Sequence, residues 1–82
     1  MYIAQINITL KESVLDPQGQ TVMKALNGMG ETQVKDVRVG KYVELQLNET
    51  SQSDAEKSAT RICEKLLVNS VIESYRLSIV QA

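Results

Sequence analysis

Apolar and polar residues alternate with a period of two in four stretches of the chain, residues 2–10, 33–39, 42–48 and 74–80. This alternation predicts β-strands that are covered on one face and open to water on the other. The side chains expected to face the core are Ala4, Ile6, Ile8 and Leu10, then Val43, Leu45 and Leu47, and finally Tyr75, Leu77 and Ile79.

The second and third of these stretches are separated only by Gly40 and Lys41. A two-residue connection that contains glycine favours a tight β-hairpin, because glycine tolerates the positive φ of such turns. The pattern therefore predicts a hairpin at Gly40-Lys41.

Apolar residues at helical spacing predict two helices. Asp16 suits an N-cap and Pro17 the first helical position, so the first helix is expected at about residues 17–29, with Gly28 and Gly30 near its end. The second is expected to begin at a capping box of Ser53 and Glu56 and to end near residues 68–69. The apolar stripes consist of Val22, Met23, Leu26 and Met29 in the first helix and of Ala55, Ala59, Ile62, Cys63, Leu66 and Leu67 in the second.

The elements follow the order βαββαβ, and only one sheet face is apolar. We therefore predict an α+β fold, a two-layer sandwich in which two helices cover one face of an antiparallel sheet. Residues 1–82 are expected to form a single domain, because neither a linker nor a low-complexity segment interrupts them.

Composition excludes several kinds of chemistry. The chain has 82 residues, no His and a single Cys. The usual general base, the usual nucleophile pairs and a thiolate zinc site are therefore missing, and we expect neither catalytic nor metal-binding residues. A phosphate loop at Gly40-Lys41 is disfavoured because Lys35 stands where the motif needs Gly. Cys63 lies on an apolar stripe and is expected to be a buried small hydrophobe.

Charge and size indicate the class of partner. Nine Lys and Arg against ten Asp and Glu give a net charge of −1, which disfavours nucleic acid. No membrane span or signal peptide is visible, so a cytoplasmic protein is expected. Because so short a chain buries little surface, association with other subunits is expected. The residues alone thus indicate a binding or assembly module, and a small regulatory ligand-binding module that dimerises through its sheet remains the alternative.

Three stretches carry a more specific signal: LKESVLDPQG at residues 10–19, VRVGK at 37–41 and CEKLLVNSVIESY at 63–75. In this order and spacing they resemble the PurS family, whose members are small subunits of phosphoribosylformylglycinamidine synthase. The resemblance extends over essentially the whole chain. Ser70 departs from the proline that commonly follows Asn69 in that family.

The resemblance implies a role in purine biosynthesis, where glutamine and ATP convert formylglycinamide ribonucleotide to the amidine. It implies that a large synthetase subunit binds ATP and magnesium, that a glutaminase subunit releases ammonia, and that the small subunit joins the two. This chain would then bind no cofactor, and it would form a homodimer or homotetramer.

Residues of the matched motifs that lack a core role are the candidate subunit interface: Asp16, Pro17, Gln18, Gly19, Arg38, Gly40, Lys41, Asn69 and Glu73. Most of them also suit a cap or a turn. Arg38 and Lys41 are the preferred contacts, because we expect them to be surface cations without a local partner.

Overall fold

A computed structural model describes all residues, 1–82. The chain forms strand β1 (Tyr2–Leu10), helix α1 (Pro17–Gly28), strand β2 (Lys41–Leu47), helix α2 (Gln52–Ile62), a π-helical turn (Cys63–Leu67) and strand β3 (Glu73–Gln81). An antiparallel sheet with two helices confirms the predicted α+β class.

The sheet has the strand order β2-β1-β3, so the first strand lies in the centre. Ile6 is paired with Val43 on one side and with Leu77 on the other, which places the alternating apolar residues of all three strands on the same face. Ala4, Ile6 and Ile8 are fully buried there, as the pattern predicts, whereas Leu10 is only half-buried.

Helix α2 covers this apolar face, and it packs on β1 and β3. Ala55, Ala59 and Cys63 are buried at intervals of four residues. Its N-cap is Ser51, whose hydroxyl accepts the N–H of Asp54, and the predicted capping box at Ser53 is therefore wrong. The helix begins at Gln52, so its cap is the hydroxyl of Ser51, two residues before Ser53.

The end of α2 widens into the π-helical turn, in which the N–H of Val68 donates to the carbonyl of Cys63 at 2.9 Å. A π-turn holds one residue more than an α-turn, so the next buried side chain after Cys63 is Val68. Leu66 is 79% exposed, and its prediction as a core residue is wrong.

The predicted strand at residues 33–39 and the predicted hairpin at Gly40-Lys41 are wrong. Residues 33–39 have no regular secondary structure and make no backbone–backbone hydrogen bond. Instead of folding back on β2, they run beside α1: the carbonyl of Val37 lies against Gly19. Alternation along one strand does not determine which segment will pair with it.

Helix α1 differs from its predicted position as well. Its backbone does not approach the sheet as closely as that of α2 does, and its only buried residue is Gly19. Val22 and Met29 of its predicted stripe are exposed. We call α1 and residues 29–39 together the arm, residues 17–39. The whole molecule measures 50 × 27 × 14 Å along its principal axes.

Candidate functional site

The candidate interface residues lie together at one end of the sheet, at the base of the arm. Most of them line one open cleft of about 470 Å³ between the start of α1, the start of β2 and the start of β3. Gly19 is hydrogen-bonded to Asp16 of this cleft, and Arg38 lines a neighbouring cleft that also contains Asp16. Asn69 is hydrogen-bonded to Glu73 of the cleft. The candidates in the cleft itself are Asp16, Pro17, Gln18, Gly40, Lys41 and Glu73.

Asp16 is the buried centre of this site, only 6% exposed. Its carboxylate caps α1 by accepting the N–H of Gly19 at 3.0 Å, which confirms the predicted N-cap. The other oxygen accepts the N–H of Val39 at 2.8 Å. The amide of Gly19 is the main cause of a lowered pKa for Asp16, assisted by the amide of Val39 and by the charge of Arg38, so this group is ionised at neutral pH.

Arg38 holds the loop before α1. Its guanidinium donates to the carbonyl of Val14 at 2.8 Å and to that of Glu12 at 2.9 Å, and it lies 3.5 Å from the carboxylate of Asp36. The expectation that Arg38 is a cation without a local partner is therefore wrong. Its planar fork of donors suits adjacent backbone carbonyls, and that structural use was not visible in the sequence because the partners are main-chain atoms.

Lys41 also has a local partner. Its ammonium lies 3.5 Å from the carboxylate of Glu73, although its own side chain is 61% exposed. The other oxygen of Glu73 accepts the N–H of Asn69 at 2.8 Å, and this hydrogen bond is the main cause of a lowered pKa for Glu73. The carboxamide of Asn69 accepts the N–H of Val71, so the residues from 69 to 73 form a closed polar turn.

Two glycines are required at this end because the backbone approaches them closely. A Cβ on Gly40 would meet the carbonyl oxygen of Ile8, and a Cβ on Gly19 would meet that of Val37. Neither glycine has a positive φ, which in this chain is found only at Gly30, just after α1. Gly40 is thus explained by contact with β1 and not by a hairpin turn.

The same end of the molecule also carries exposed apolar side chains that the hydrophobic pattern does not single out. Leu15 is 66% exposed and Val71 is 78% exposed, and Ile72 beside Val71 is joined to the other loop by the hydrogen bond from Lys11. Leu15 and Val71 lie inside the matched motifs, but neither belongs to the apolar face of a predicted strand or helix. An apolar residue of a motif that has no place in the core is a candidate for a contact surface, and this criterion would have identified both.

The chemistry of the site is that of a binding surface. Cys63 is buried in the core, where burial raises the pKa of its thiol, so it is protonated at neutral pH. No group of three or more His, Cys, Asp or Glu is placed to hold a metal ion. None of the helices has the length and apolar character needed to cross a membrane. The geometry offers a hydrogen-bonded frame that presents Pro17, Gln18 and Lys41 to solvent.

The chain is similar to proteins of a known family over almost its whole length. The family model "PurS: Phosphoribosylformylglycinamidine (FGAM) synthase" matches residues 3–81. The synthase subunit PurS of Bacillus subtilis is 49% identical over 79 residues, covering 96% of this chain and 93% of that protein. The subunit of the same name from Archaeoglobus fulgidus is 40% identical over 75 residues, covering 92% and 94%.

Solved structures agree in fold. The crystal structure of Bacillus subtilis PurS superposes with a TM-score of 0.84 at 48% identity, covering 99% of this chain and all of that one. A chain in the structure of PurLQS from Thermotoga maritima superposes with a TM-score of 0.87 at 29% identity, covering 96% of both chains. These matches do not favour the alternative of an independent ligand-binding module. The chain belongs to the PurS family of phosphoribosylformylglycinamidine synthase subunits, which serves purine biosynthesis.

Proposed function

We propose that this chain is the non-catalytic small subunit that holds the glutaminase and the ATP-dependent synthetase subunits of phosphoribosylformylglycinamidine synthase together. Ammonia released from glutamine would then convert formylglycinamide ribonucleotide to the amidine. The observation that carries this proposal is the similarity of almost the whole chain, residues 3–81, to subunits named for that synthase.

The physical reason for such a subunit lies in the intermediate. Ammonia is small, diffuses rapidly and is protonated in water, so two active sites that are held in register transfer it more efficiently than two separate enzymes. The small subunit contributes geometry, whereas ATP and magnesium are bound by the large partner subunit.

The candidate residues of the cleft at the end of the sheet form the sheet-end site, which is the proposed contact surface for the larger subunits. They are Asp16, Pro17, Gln18, Gly40, Lys41 and Glu73. Pro17, Gln18 and Lys41 are exposed there, and the apolar side chains of Leu15 and Val71 are exposed in the two loops that the hydrogen bond from Lys11 to Ile72 joins. Apolar anchors surrounded by polar groups are typical of protein interfaces. The buried Asp16 fixes the position of this surface, so little side-chain or loop entropy would be lost on binding.

The chain would work in the cytoplasm as a homo-oligomer. Only Ala4, Ile6, Ile8, Ala55, Ala59, Cys63 and Val68 form the buried apolar core. That is a small core for 82 residues, and association with a further copy would bury more apolar surface.

The function is tested by measuring amidine formation with the purified large and glutaminase subunits, with and without this chain. Glutamine and added ammonium are compared as nitrogen sources. We expect the glutamine-driven rate to need this chain and the ammonium-driven rate to be independent of it. Equal dependence of both rates would assign the chain to the synthetase reaction itself, and no dependence of either rate would refute the proposal.

A further inference from the structure

The end of helix α1 contains Asn27, which is followed directly by Gly28. The carboxamide of an asparagine can be attacked by the backbone nitrogen of the next residue, and the attack is easiest where that residue has no Cβ to crowd it. The chain has three other asparagines, but each is followed by a residue with a side chain: Asn7, Asn48 and Asn69. Asn27 is therefore the position at which the local chemistry most favours this reaction.

The structure leaves Asn27 and Gly28 accessible. Both residues are exposed to solvent. Apart from the chain on either side, nothing lies within 4 Å of the position that a Cβ on Gly28 would occupy. Gly28 is also the last residue of α1, and the end of a helix opens more readily than its middle. Opening of the last turn frees the backbone nitrogen of Gly28 and lets the carboxamide of Asn27 rotate towards it.

Asn7 and Asn69 are held more firmly than Asn27. Asn7 lies in the central strand β1, where it is paired with Tyr42 on one side and with Arg76 on the other. The carboxamide oxygen of Asn69 accepts the N–H of Val71 at 3.1 Å. Because a paired strand and a closed turn both restrict the rotation that the attack needs, they protect these two asparagines.

We propose that Asn27 is a site of spontaneous deamidation, with water as the co-reactant. The backbone nitrogen of Gly28 attacks Cγ of Asn27 and loses its proton, while the carboxamide nitrogen takes up a proton and leaves as ammonia. The product is a cyclic succinimide. Water then opens the ring at either carbonyl carbon, which gives aspartate or isoaspartate, and no oxidant or reductant is needed.

Asn27 also belongs to the motif that ends α1. The N–H of Gly30 donates to the carbonyl of Asn27 at 3.1 Å, and Gly30 has a φ of 87°. The N–H of Glu31 donates to the carbonyl of Leu26 at 3.0 Å. Together these are the two hydrogen bonds of a Schellman motif, which turns the chain from the helix into residues 31–39 of the arm.

Deamidation changes this turn in two ways. Isoaspartate lengthens the main chain by a carbon atom and makes the accepting carbonyl of residue 27 part of a side-chain carboxylate, so the geometry of the bond from Gly30 is lost. Either product also places a negative charge at the C-terminal end of α1, where the helix dipole is already negative. The reaction therefore loosens the connection between α1 and residues 31–39.

The test follows each asparagine separately in the full chain. The protein is incubated in mildly alkaline buffer made with water enriched in heavy oxygen, and it is then digested with trypsin in ordinary water. Cleavage after Lys and Arg places every asparagine in a different peptide: residues 25–35 contain Asn27, and residues 66–76 contain Asn69. Mass spectrometry then counts the residues that took up heavy oxygen during the incubation.

We expect Asn27 to convert at least about tenfold faster than Asn69, because only Asn27 is followed by a residue without a Cβ. The matched variant is Gly28→Ala, which adds a methyl group where nothing lies near. It should slow the conversion of Asn27 by about tenfold and leave that of Asn69 unchanged. Equal rates at the two asparagines, or a rate at Asn27 that the variant does not alter, would overturn the proposal.

The effect on the turn has a readout of its own. Hydrogen exchange at the amides of Gly30 and Glu31 is compared in fresh protein, in aged protein and in Asn27→Asp. We expect the fastest exchange in the aged protein and a smaller increase in Asn27→Asp, which adds the charge but keeps the main chain. Unchanged exchange in the aged protein would overturn the loosening of the turn. The assembly function plays no part in this inference and is tested separately by the nitrogen-source assay.

Discussion

The carboxylate of Asp16 accepts the backbone N–H of Val39 at 2.8 Å, across 23 residues of chain. The same carboxylate caps α1 at Gly19, so a single side chain fixes both ends of the arm to the sheet-end site. A charged acceptor that binds two backbone donors is among the stronger hydrogen-bonding arrangements in proteins. Protonation of Asp16 would weaken both of these hydrogen bonds, because a charged acceptor binds a donor more strongly than a neutral one.

We expect the stability of the protein to fall at acid pH because of Asp16. Its amide partners lower its pKa in the folded state, so its contribution is fully present above the pKa of the unfolded chain and is lost as pH falls through the folded value. The pKa of Glu73 is also lowered in the folded state, mainly by the N–H of Asn69, so Glu73 adds to the loss of stability at acid pH. The measurement is the melting temperature between pH 7 and pH 2, and the fall should begin below about pH 4.

The matched variant is Asp16→Asn, which keeps the shape but accepts with only one oxygen. It should melt several degrees lower at pH 7 and show a weaker decrease on acidification. A variant with the wild-type pH profile would show that Asp16 does not carry this dependence.

Gly40 should not tolerate a side chain. A Cβ there would meet the carbonyl of Ile8, so Gly40→Ala is expected to destabilise the fold by more than about 1 kcal/mol. Gly28→Ala is the control, because nothing lies near its Cβ position and α1 continues to it; it should be neutral or stabilise by up to about 1 kcal/mol. Urea unfolding measures both, and equal effects would contradict the close approach at Gly40.

Hydrophobic alternation was sufficient to predict β1, β2 and β3, because each keeps one face against the same core. It could not predict the conformation of residues 33–39, because alternation does not specify whether a segment finds a strand to pair with in its own chain. The Asp16 cap was predictable from local sequence, whereas its second bond to Val39 was not, since it depends on where a distant segment returns. The candidate site was predicted as a set of residues, but the structural roles of Arg38 and Glu73 emerge only from their backbone partners.

Ser51 and Ser53 provide a direct test of where α2 begins. Only Ser51 accepts a first-turn amide, so Ser51→Ala is expected to cost about 1 kcal/mol. Ser53→Ala lies inside the helix and should change the free energy of unfolding by less than about 0.5 kcal/mol. If Ser53→Ala destabilised the protein more than Ser51→Ala, the capping box predicted from the sequence would be correct after all.

The π-helical turn predicts opposite effects at two nearby residues. Val68 is buried, so Val68→Ala should cost about 1.5 kcal/mol, at roughly 0.8 kcal/mol per buried carbon. Leu66 is exposed, so Leu66→Ala should cost less than about 0.5 kcal/mol. A continuous α-helix, the basis of the stripe predicted from sequence, would give Leu66 the larger effect. Chemical denaturation of the two variants separates these outcomes.

Lys41 is the sharpest test of the proposed contact surface. Arg38 is unsuitable because its removal would release the carbonyls of Glu12 and Val14 and disturb the loop itself. Lys41 is exposed, and its single ion pair at the surface should add little to stability. Lys41→Ala should therefore leave the melting curve nearly unchanged but weaken binding to the larger subunits by about fivefold or more, the equivalent of roughly 1 kcal/mol.

Lys57→Ala on the outer face of α2 is the control, and titration calorimetry with the assembled larger subunits measures both. Equal affinities for the two variants would move the contact surface away from the sheet-end site.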